Sequence, residues 1–499
     1  MGPSRPNSFE NLVRLTQQQF HRILYFGDDE SETYPTQDRT HLSKDEGFDV
    51  QKWGPILSLT DEAVVKVALQ YQRHLMTELT QADEGVSIAS AELQARVVRH
   101  AVGFNNRVFI VEYSDGWSIC VRVPACGWGD HWSELHIRNF TSQACTMRYI
   151  RENTNLPMPE MLQIDETFNN ALGAPFMIMT AVKGREANAI WFDDAGLTPS
   201  QLEQKRQNIL KTLATGMSEL RNLEFDTMGT LHFSGGLPTS LGERISEPTV
   251  GPCYNWNFGW LPDKTNKHEN DAITHPYPTS QSWLRDRLEK WWKEMHIKDS
   301  KKGGEQKSYL EHRGIYILYS MMLEYFPYSS KSAGMDPYPE KFVLAPPDFD
   351  WQNTLVAEDG AVQAYIDWDR AETLPRYLGW ACVPNFLSAD WRIMYEWPAK
   401  HAMPPSELAR YREDYSRYMR EACGDETDCY RYTPKSHYFS SIEFAIGDAK
   451  LMEEMVFKFL DLLVPRTRKD EHVIRLGDEG FREGEEEWLR EQFKNLFAC

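Results

Sequence analysis

The residues of this chain whose types and spacing can do chemistry lie in PPDFDWQNTLVAEDGAVQAYIDWD, residues 346–369. Asp348 is followed five positions later by Asn353, where a strand-like apolar run begins. Two such runs flank Asp359-Gly360, and Asp-Gly between β-rich runs is the strongest short hairpin signal. Counted outward from Gly360, Asn353 is seven residues back and Asp367 seven forward. A hairpin therefore sets the two opposite each other, within one residue of register, and directly opposed side chains have Cβ atoms about 4.5–5.5 Å apart. An amide oxygen and a carboxylate at the open end of a hairpin suit Mg²⁺, which takes one or two carboxylates plus phosphate oxygens.

An aspartate, an asparagine five positions on, a hairpin and a second aspartate are also the layout of a kinase catalytic centre. There the loop aspartate accepts the proton of the attacking hydroxyl, while the asparagine and later aspartate hold magnesium on the nucleotide phosphates. Taken singly, each residue has a plainer use. An Asp in PDFD serves as a turn former, and an Asp ending YIDWD caps the next element. A glycosidase built on Asp348 and Asp367 as a carboxylate pair is a further alternative, but it gives no role to the segments upstream.

Those segments must position the motif. Residues 59–81 predict a helix with Thr60 as its N-cap, acids in the first turn and apolar residues at helical spacing. RVFIVEY and WSICVRVP are β-rich runs joined by SDG, residues 114–116, and predict a hairpin. A helix SQACTMRYIREN follows, then strands in MPEMLQI and APFMIMTAV, ending near Gly184. Beyond it the periodicity is mostly helical, over 199–223, 280–298 and 442–464, where Pro465 ends the last helix. The division expected is an N-terminal extension over 1–85, a β-rich lobe over 86–184 and a mainly helical lobe over 185–499. Residues 1–8 are polar, and 28–47 read as a charged loop.

With these elements in view, FVLAPPDFDWQNTLVAEDGAVQAYIDWD resembles the core of the aminoglycoside phosphotransferase and choline kinase-like family. The likeness is to its divergent, mainly fungal branch, which includes altered-inheritance-of-mitochondria relatives. GFNNRVFIVEYSDG resembles that family's nucleotide-loop hairpin, VRVP its third strand, TMRYIRENTNLPMPEML its regulatory-type helix and GAPFMIMTAVKG its hinge. The resemblance covers about residues 98–185 and 340–385. It implies an α+β, two-lobed protein-kinase-like fold and ATP- and Mg²⁺-dependent phosphate transfer to a small-molecule hydroxyl. It also implies roles: Asp348 as base, Asn353 and Asp367 as magnesium ligands, and Asn105 and Asn106 in the loop over the phosphates. Met179, Thr180, Ala181 and Val182 would form the hinge meeting adenine.

Three positions depart from the family pattern. The phosphate-binding lysine is Arg122, which keeps the charge and offers a fork to phosphate oxygens. Its glutamate partner on the helix is Gln143, with Glu134 as the substitute if the helix begins earlier. The histidine bracing the catalytic loop is Pro346, and Pro346-Pro347 stiffens the loop by fixing φ. The alternative to an active enzyme is therefore a nucleotide-binding, pseudokinase-like scaffold.

Bulk composition frames these readings. The chain has 499 residues, 41% of them hydrophobic, enough for a sizeable core. A net charge of −20 repels a nucleic-acid backbone and favours a cationic, amine-bearing acceptor. No run reaches the roughly 18 apolar residues of a membrane span. Eight cysteines without zinc spacing read as reduced thiols of an intracellular, cytoplasmic protein, Cys423–Cys429 being the one bridge considered. The amphipathic segment SFENLVRLTQQQFHRILYF is the weak sign of a mitochondrial alternative; as a surface helix it docks on the body. The aromatics of CYNWNFGW and EKWWKEM read as core, with cation–π contact to an amine as their other use. The acidic run GDEGFREGEEE reads as a solvated face. Composition sets no oligomeric state.

Overall fold

Capping and strand alternation account for the small lobe. The computed structural model describes residues 53–82, 93–103, 105–240, 242–254, 273–274, 276–301, 306–328, 340–392, 395–399, 401–464 and 468–499. The expectations for 1–8, 8–26, 28–47, Pro465 and most of CYNWNFGW lie outside the described residues. Helix α1 spans Asp61–Ala82 with Asp61 and Glu62 in its first turn, where acids complement the helix dipole. The Thr60 hydroxyl accepts from the Ala63 N–H at 3.3 Å, as an N-cap does.

Strands β1 (Ala95–Val102), β2 (Asn106–Tyr113), β3 (Ser118–Pro124), β4 (Met161–Asp165) and β5 (Phe176–Thr180) form one antiparallel sheet, ordered β1-β2-β3-β5-β4. Gly116 turns the β2–β3 hairpin at φ 84°. Phe109, Val111 and Tyr113 are buried along β2, and Ile119, Val121 and Val123 along β3, the period of two of a face laid on a core. That face packs on Val64, Val67 and Tyr71 of α1 and on Trp53 and Ile56 before it. Each such side chain contributes roughly 1.5–3 kcal/mol on full burial. The same alternation turns Cys120 and Arg122 to the other face, from which Arg122 reaches the second lobe.

Two elements differ from the sequence reading. β1 was not anticipated, because this edge strand exposes most of its residues and so lacks strand-like apolar alternation. Helix α2 spans Glu134–Asn153 and so starts eight residues before Ser142. Ser133 and His136 close its capping box; a histidine in the place of the usual Glu or Gln conceals that signal.

The second lobe begins with β6 (Arg185–Glu186), α3 (Ala187–Trp191) and α4 (Pro199–Ser218). Thr198 caps α4, with Pro199 in its first turn. Short strands β7 (Glu224–Phe225), β8 (Gly229–His232), β9 (Thr249–Gly251), β10 (Cys253–Tyr254) and β11 (Ile273–Thr274) precede helices α5 (Ser280–Lys301) and α6 (Gln306–Glu324). Then come β12 (Phe342–Ala345), β13 (Thr354–Val356), β14 (Val362–Tyr365) and β15 (Glu372–Pro375). Helices α7 (Pro405–Cys423), α8 (Ser436–Ala445), α9 (Ala449–Leu463), α10 (Lys469–Glu479) and α11 (Glu485–Phe497) complete the lobe. The single helix expected over 442–464 is broken. Gly447 sits at φ 112°, and the Asp448 side chain caps α9 by accepting from the Lys450 and Leu451 amides. Cys423 and Cys429 are buried free thiols. No described helix is long and apolar enough to cross a membrane. The architecture is α+β, with a β-rich lobe followed by a mainly helical one.

A candidate active site between the lobes

The Asp359-Gly360 hairpin forms as β13–β14, with Thr354 opposite Tyr365. One step further, the Ile366 amide donates to the Asn353 carbonyl at 2.9 Å, so Asp367 lies one residue past the position facing Asn353. Gly360 has φ 86°, and a Cβ there would come within 2.4 Å of the Lys205 carbonyl on α4; only glycine fits so close a turn. Helix α4 backs the hairpin through Tyr365, whose hydroxyl donates to the Leu213 carbonyl at 2.8 Å. A second pairing was not foreseen: β12 and β15 run antiparallel, with Ala345 opposite Glu372. The Asp348 loop leaves β12 and enters β13, while the Asp367 segment leaves β14 and enters β15. Both segments are thus tied at both ends and lie side by side.

Within the loop, Asp348 is the hub. Asn353 Nδ2 donates to its carbonyl at 2.8 Å and to Oδ2 at 3.1 Å. Gln352 Nε2 reaches Oδ2 at 2.8 Å, and Asn385 Nδ2 reaches Oδ1 at 3.3 Å. The Asn385 amide also donates to the Phe349 carbonyl at 2.7 Å. Asn385, 37 residues beyond Asp348, thus braces the loop through both its side chain and its backbone. Trp351 stacks on Phe386 with ring centroids 3.5 Å apart, which holds the far side of the loop. Asp350 caps the turn by accepting from the Trp351 amide at 2.8 Å; burial raises its carboxyl above the ordinary range.

Across the cleft, Arg122 is 8% exposed. Its Nη2 donates to Asp367 Oδ1 at 2.9 Å and to Asp369 Oδ2 at 2.7 Å. Burial alone would lower the guanidinium pKa, but the carboxylates of Asp369 and Asp367 outweigh it and push it up. Asp369 also accepts from Asn106 Nδ2 at 3.2 Å and from Gln143 Nε2. Burial pushes its carboxyl above the ordinary range, with Arg122 pulling against it. Asp367 has φ 65° and Arg370 φ 63°, a region that costs a non-glycine residue of order 1–3 kcal/mol and that clusters at functional sites.

The structure therefore gathers Asn106, Arg122, Gln143, Asp367 and Asp369 at one junction, next to the loop of Asp348 and Asn353. Glu134 does not serve as the substitute acid. It opens α2 on the surface, 80% exposed, and pairs with Arg138 at 2.5 Å. Asn105 instead fastens the loop before β2, its carbonyl accepting from the Ala125 amide at 2.8 Å. Met179 and Thr180 end β5. The amides of Thr180 and Ala181 donate to the Glu160 and Ser118 carbonyls at 3.0 and 3.2 Å, so these two are already paired.

The donor set fits a magnesium ion. Asn353 turns its amide nitrogen to Asp348, which frees the oxygen. Asp367 keeps a side chain 42% exposed. One carboxylate and one amide oxygen, completed by water and phosphate oxygens, are what such an ion takes. The sequence reading missed Asp369 and Asn385. Neither had a periodic signal: Asp367 leaves the extended region at φ 65°, so strand alternation does not reach Asp369, and Asn385 lies beyond the motif.

Fold and site bring together, in adjacent segments of an α+β chain, an acid, an amide and a second acid. No protein-family model matches the chain. It is 25% identical over 164 residues to a subtelomeric hrmA-associated cluster protein of Aspergillus fumigatus, a match covering 32% of this chain and 30% of that one. It is 20% identical over 345 residues to altered inheritance of mitochondria protein 9, mitochondrial, of Lodderomyces elongisporus, covering 64% and 53%. The matches thus span under a third and about half of these relatives' lengths. Solved structures it resembles include a thermostable mutant aminoglycoside phosphotransferase in ternary complex with ADP and hygromycin B, at 15% identity, 81% and 98% coverage and TM-score 0.34. A macrolide 2′-phosphotransferase of Brachybacterium faecium follows at 11% identity, 82% and 99% coverage and TM-score 0.35. A Plasmodium vivax ethanolamine kinase stands at 10% identity, 80% and 86% coverage and TM-score 0.33. Fold likeness of this kind does not carry an acceptor with it.

Proposed function

We propose that the chain transfers the γ-phosphate of ATP, with magnesium, to a hydroxyl of a small molecule. The observation that carries this reading is the double clamp. β13–β14 and β12–β15 tie the Asp348–Asn353 loop and the Asp367 segment together, opposite a buried arginine from the other lobe. In this reading Asp348 accepts the proton of the attacking hydroxyl, and Gln352, Asn353 and Asn385 hold its carboxylate in place. Asn353 and Asp367 hold magnesium, which neutralises charge on the transferred phosphate. Arg122 meets the nucleotide phosphates, and Val182 at the hinge meets the base. A net charge of −20 suits an amine-bearing acceptor.

One observation favours the scaffold reading instead: Arg122 is already paired with Asp367 and Asp369. ATP turnover with magnesium, screened over small amines, sugars and amino alcohols, decides between them. Asp348→Asn sharpens the result. It should bind ATP within a few-fold of wild type yet transfer phosphate at least about a hundred times more slowly, the lower end of a general-base contribution. The structure adds one cost. Asp348 receives donors on both oxygens, so an amide there opposes at least one of them, a loss of about 1–3 kcal/mol in stability. Transfer by the variant at the wild-type rate removes Asp348 as the base. ATP binding with no transfer to any acceptor in the screen leaves the scaffold.

A further inference from the structure

Arg122 needs a carboxylate, because an unpaired buried charge costs several kcal/mol. Helix α2 cannot provide one: its residue at the junction is Gln143, and its one acid in the first turn, Glu134, is exposed and pairs with Arg138. The acid comes from the opposite lobe. Asp369 Oδ2 accepts from Arg122 Nη2 at 2.7 Å and from Asn106 Nδ2 at 3.2 Å, while Oδ1 accepts from Gln143 Nε2. Gln143 is then a matched change and not a lost function. A glutamate at that position would face the Asp369 carboxylate, whereas the glutamine amide donates to it.

We infer that Asp369 supplies, from across the cleft, the negative charge that Arg122 lacks on α2, and that Asn106, Arg122, Gln143 and Asp369 form an interlobe latch positioning Arg122 for nucleotide phosphates. The positioning role rests on the phosphotransferase reading; the pairing does not. The latch joins β2, β3 and α2 of one lobe to the segment after β14 in the other, so lobe closure and the orientation of Arg122 are a single event. Both contacts of Arg122 with the acids use Nη2, so the remainder of the fork is not committed to them. Asp369 is accordingly a positioning residue, acting through Arg122.

Moving the charge back to the helix tests the pairing. Asp369→Asn and Gln143→Glu are made singly and together, and two quantities are read: the melting temperature of ligand-free protein and the affinities for ADP and adenosine. Each single variant should melt lower than wild type, Gln143→Glu because two carboxylates then meet. The double variant should recover more than half of the summed loss. Asp369→Asn should weaken ADP about tenfold, the worth of one charge-assisted hydrogen bond, with adenosine within about twofold. The double variant should return ADP to within about threefold of wild type. Additive melting losses overturn the pairing, and equal weakening of ADP and adenosine overturns the positioning role. Should Asp369→Asn not fold, the double variant is compared with Gln143→Glu alone, and a double variant no more stable than that single one overturns the pairing. If wild type binds neither ADP nor ATP, the phosphotransferase reading and the positioning role fall together, while the melting comparison still upholds or overturns the pairing.

Discussion

The two walls of the cleft were built by different means. On the helical-lobe side, Asp348, Asn353 and Asp367 lie within a single run of 20 residues, and a hairpin and one further strand pairing place them. On the β-lobe side, Asn106, Arg122 and Gln143 come from three elements, and each ends on Asp369, between 226 and 263 residues away. The first wall keeps the residue types its spacing calls for. The second carries Arg122 and Gln143 where the resemblance implies lysine and glutamate, and Arg122 pairs with an acid of the other wall. A site held by local pairing retains its pattern; a site held by tertiary contact can redistribute a charge, provided the partners change together.

Removing the cation of the second wall should give the largest effect. Arg122→Ala leaves Asp367 and Asp369 without the cation that hydrogen-bonds to both, and breaking a buried pair from one side costs about 3–5 kcal/mol. Because Asp367 is partly exposed, the lower end is expected, read as a loss of stability in urea. ATP should weaken more than adenosine. If both weaken equally, the arginine holds the lobe together and does not meet phosphate.

Asp367→Ala probes the first wall and should act only when magnesium is present. Outer-shell changes alone cost 10–100-fold in metal affinity, so loss of a ligand should lower the magnesium-dependent part of ATP affinity by at least about tenfold. A thermal-shift titration with ATP, with magnesium and after its removal by chelator, reads this. An unchanged magnesium-dependent shift in the variant would exclude Asp367 as a ligand and leave the comparison without its first term.

The smallest effect belongs to Asn385→Ala. It removes the side-chain donor to Asp348 Oδ1 and leaves the backbone bond to Phe349, so stability should fall by about 1 kcal/mol, one hydrogen bond. The transfer rate should fall while ATP affinity holds, because the brace acts on the base and not on the nucleotide. A variant that loses ATP affinity at full transfer rate would show that Asn385 does not serve the base.

The parts of the molecule legible in the sequence were those set by neighbours along the chain. Asp359-Gly360 announced a turn, and the equal count on either side brought Asn353 and Asp367 together within one residue. Asp115-Gly116 did the same for β2 and β3, and alternation along β3 sent Arg122 away from the core that holds Val121 and Val123. Thr60 marked the start of α1. Other local signals were present but disguised: His136 in a capping box hid the first turns of α2, and Gly447-Asp448 inside an apolar run hid a break between α8 and α9.

Sequence alone brought Asn353 and Asp367 together and set Asp348 a short loop before them, because turn chemistry and a period of two operate over a few residues and leave their mark in spacing. Tertiary structure alone decided whom Arg122 pairs with and what braces Asp348. Asp369 and Asn385 reach those partners from 247 and 37 residues away, and no periodicity spans such distances. A buried charge takes whichever carboxylate the packed lobes bring within hydrogen-bond reach, and that choice is made only when β12 pairs with β15 and the two lobes meet.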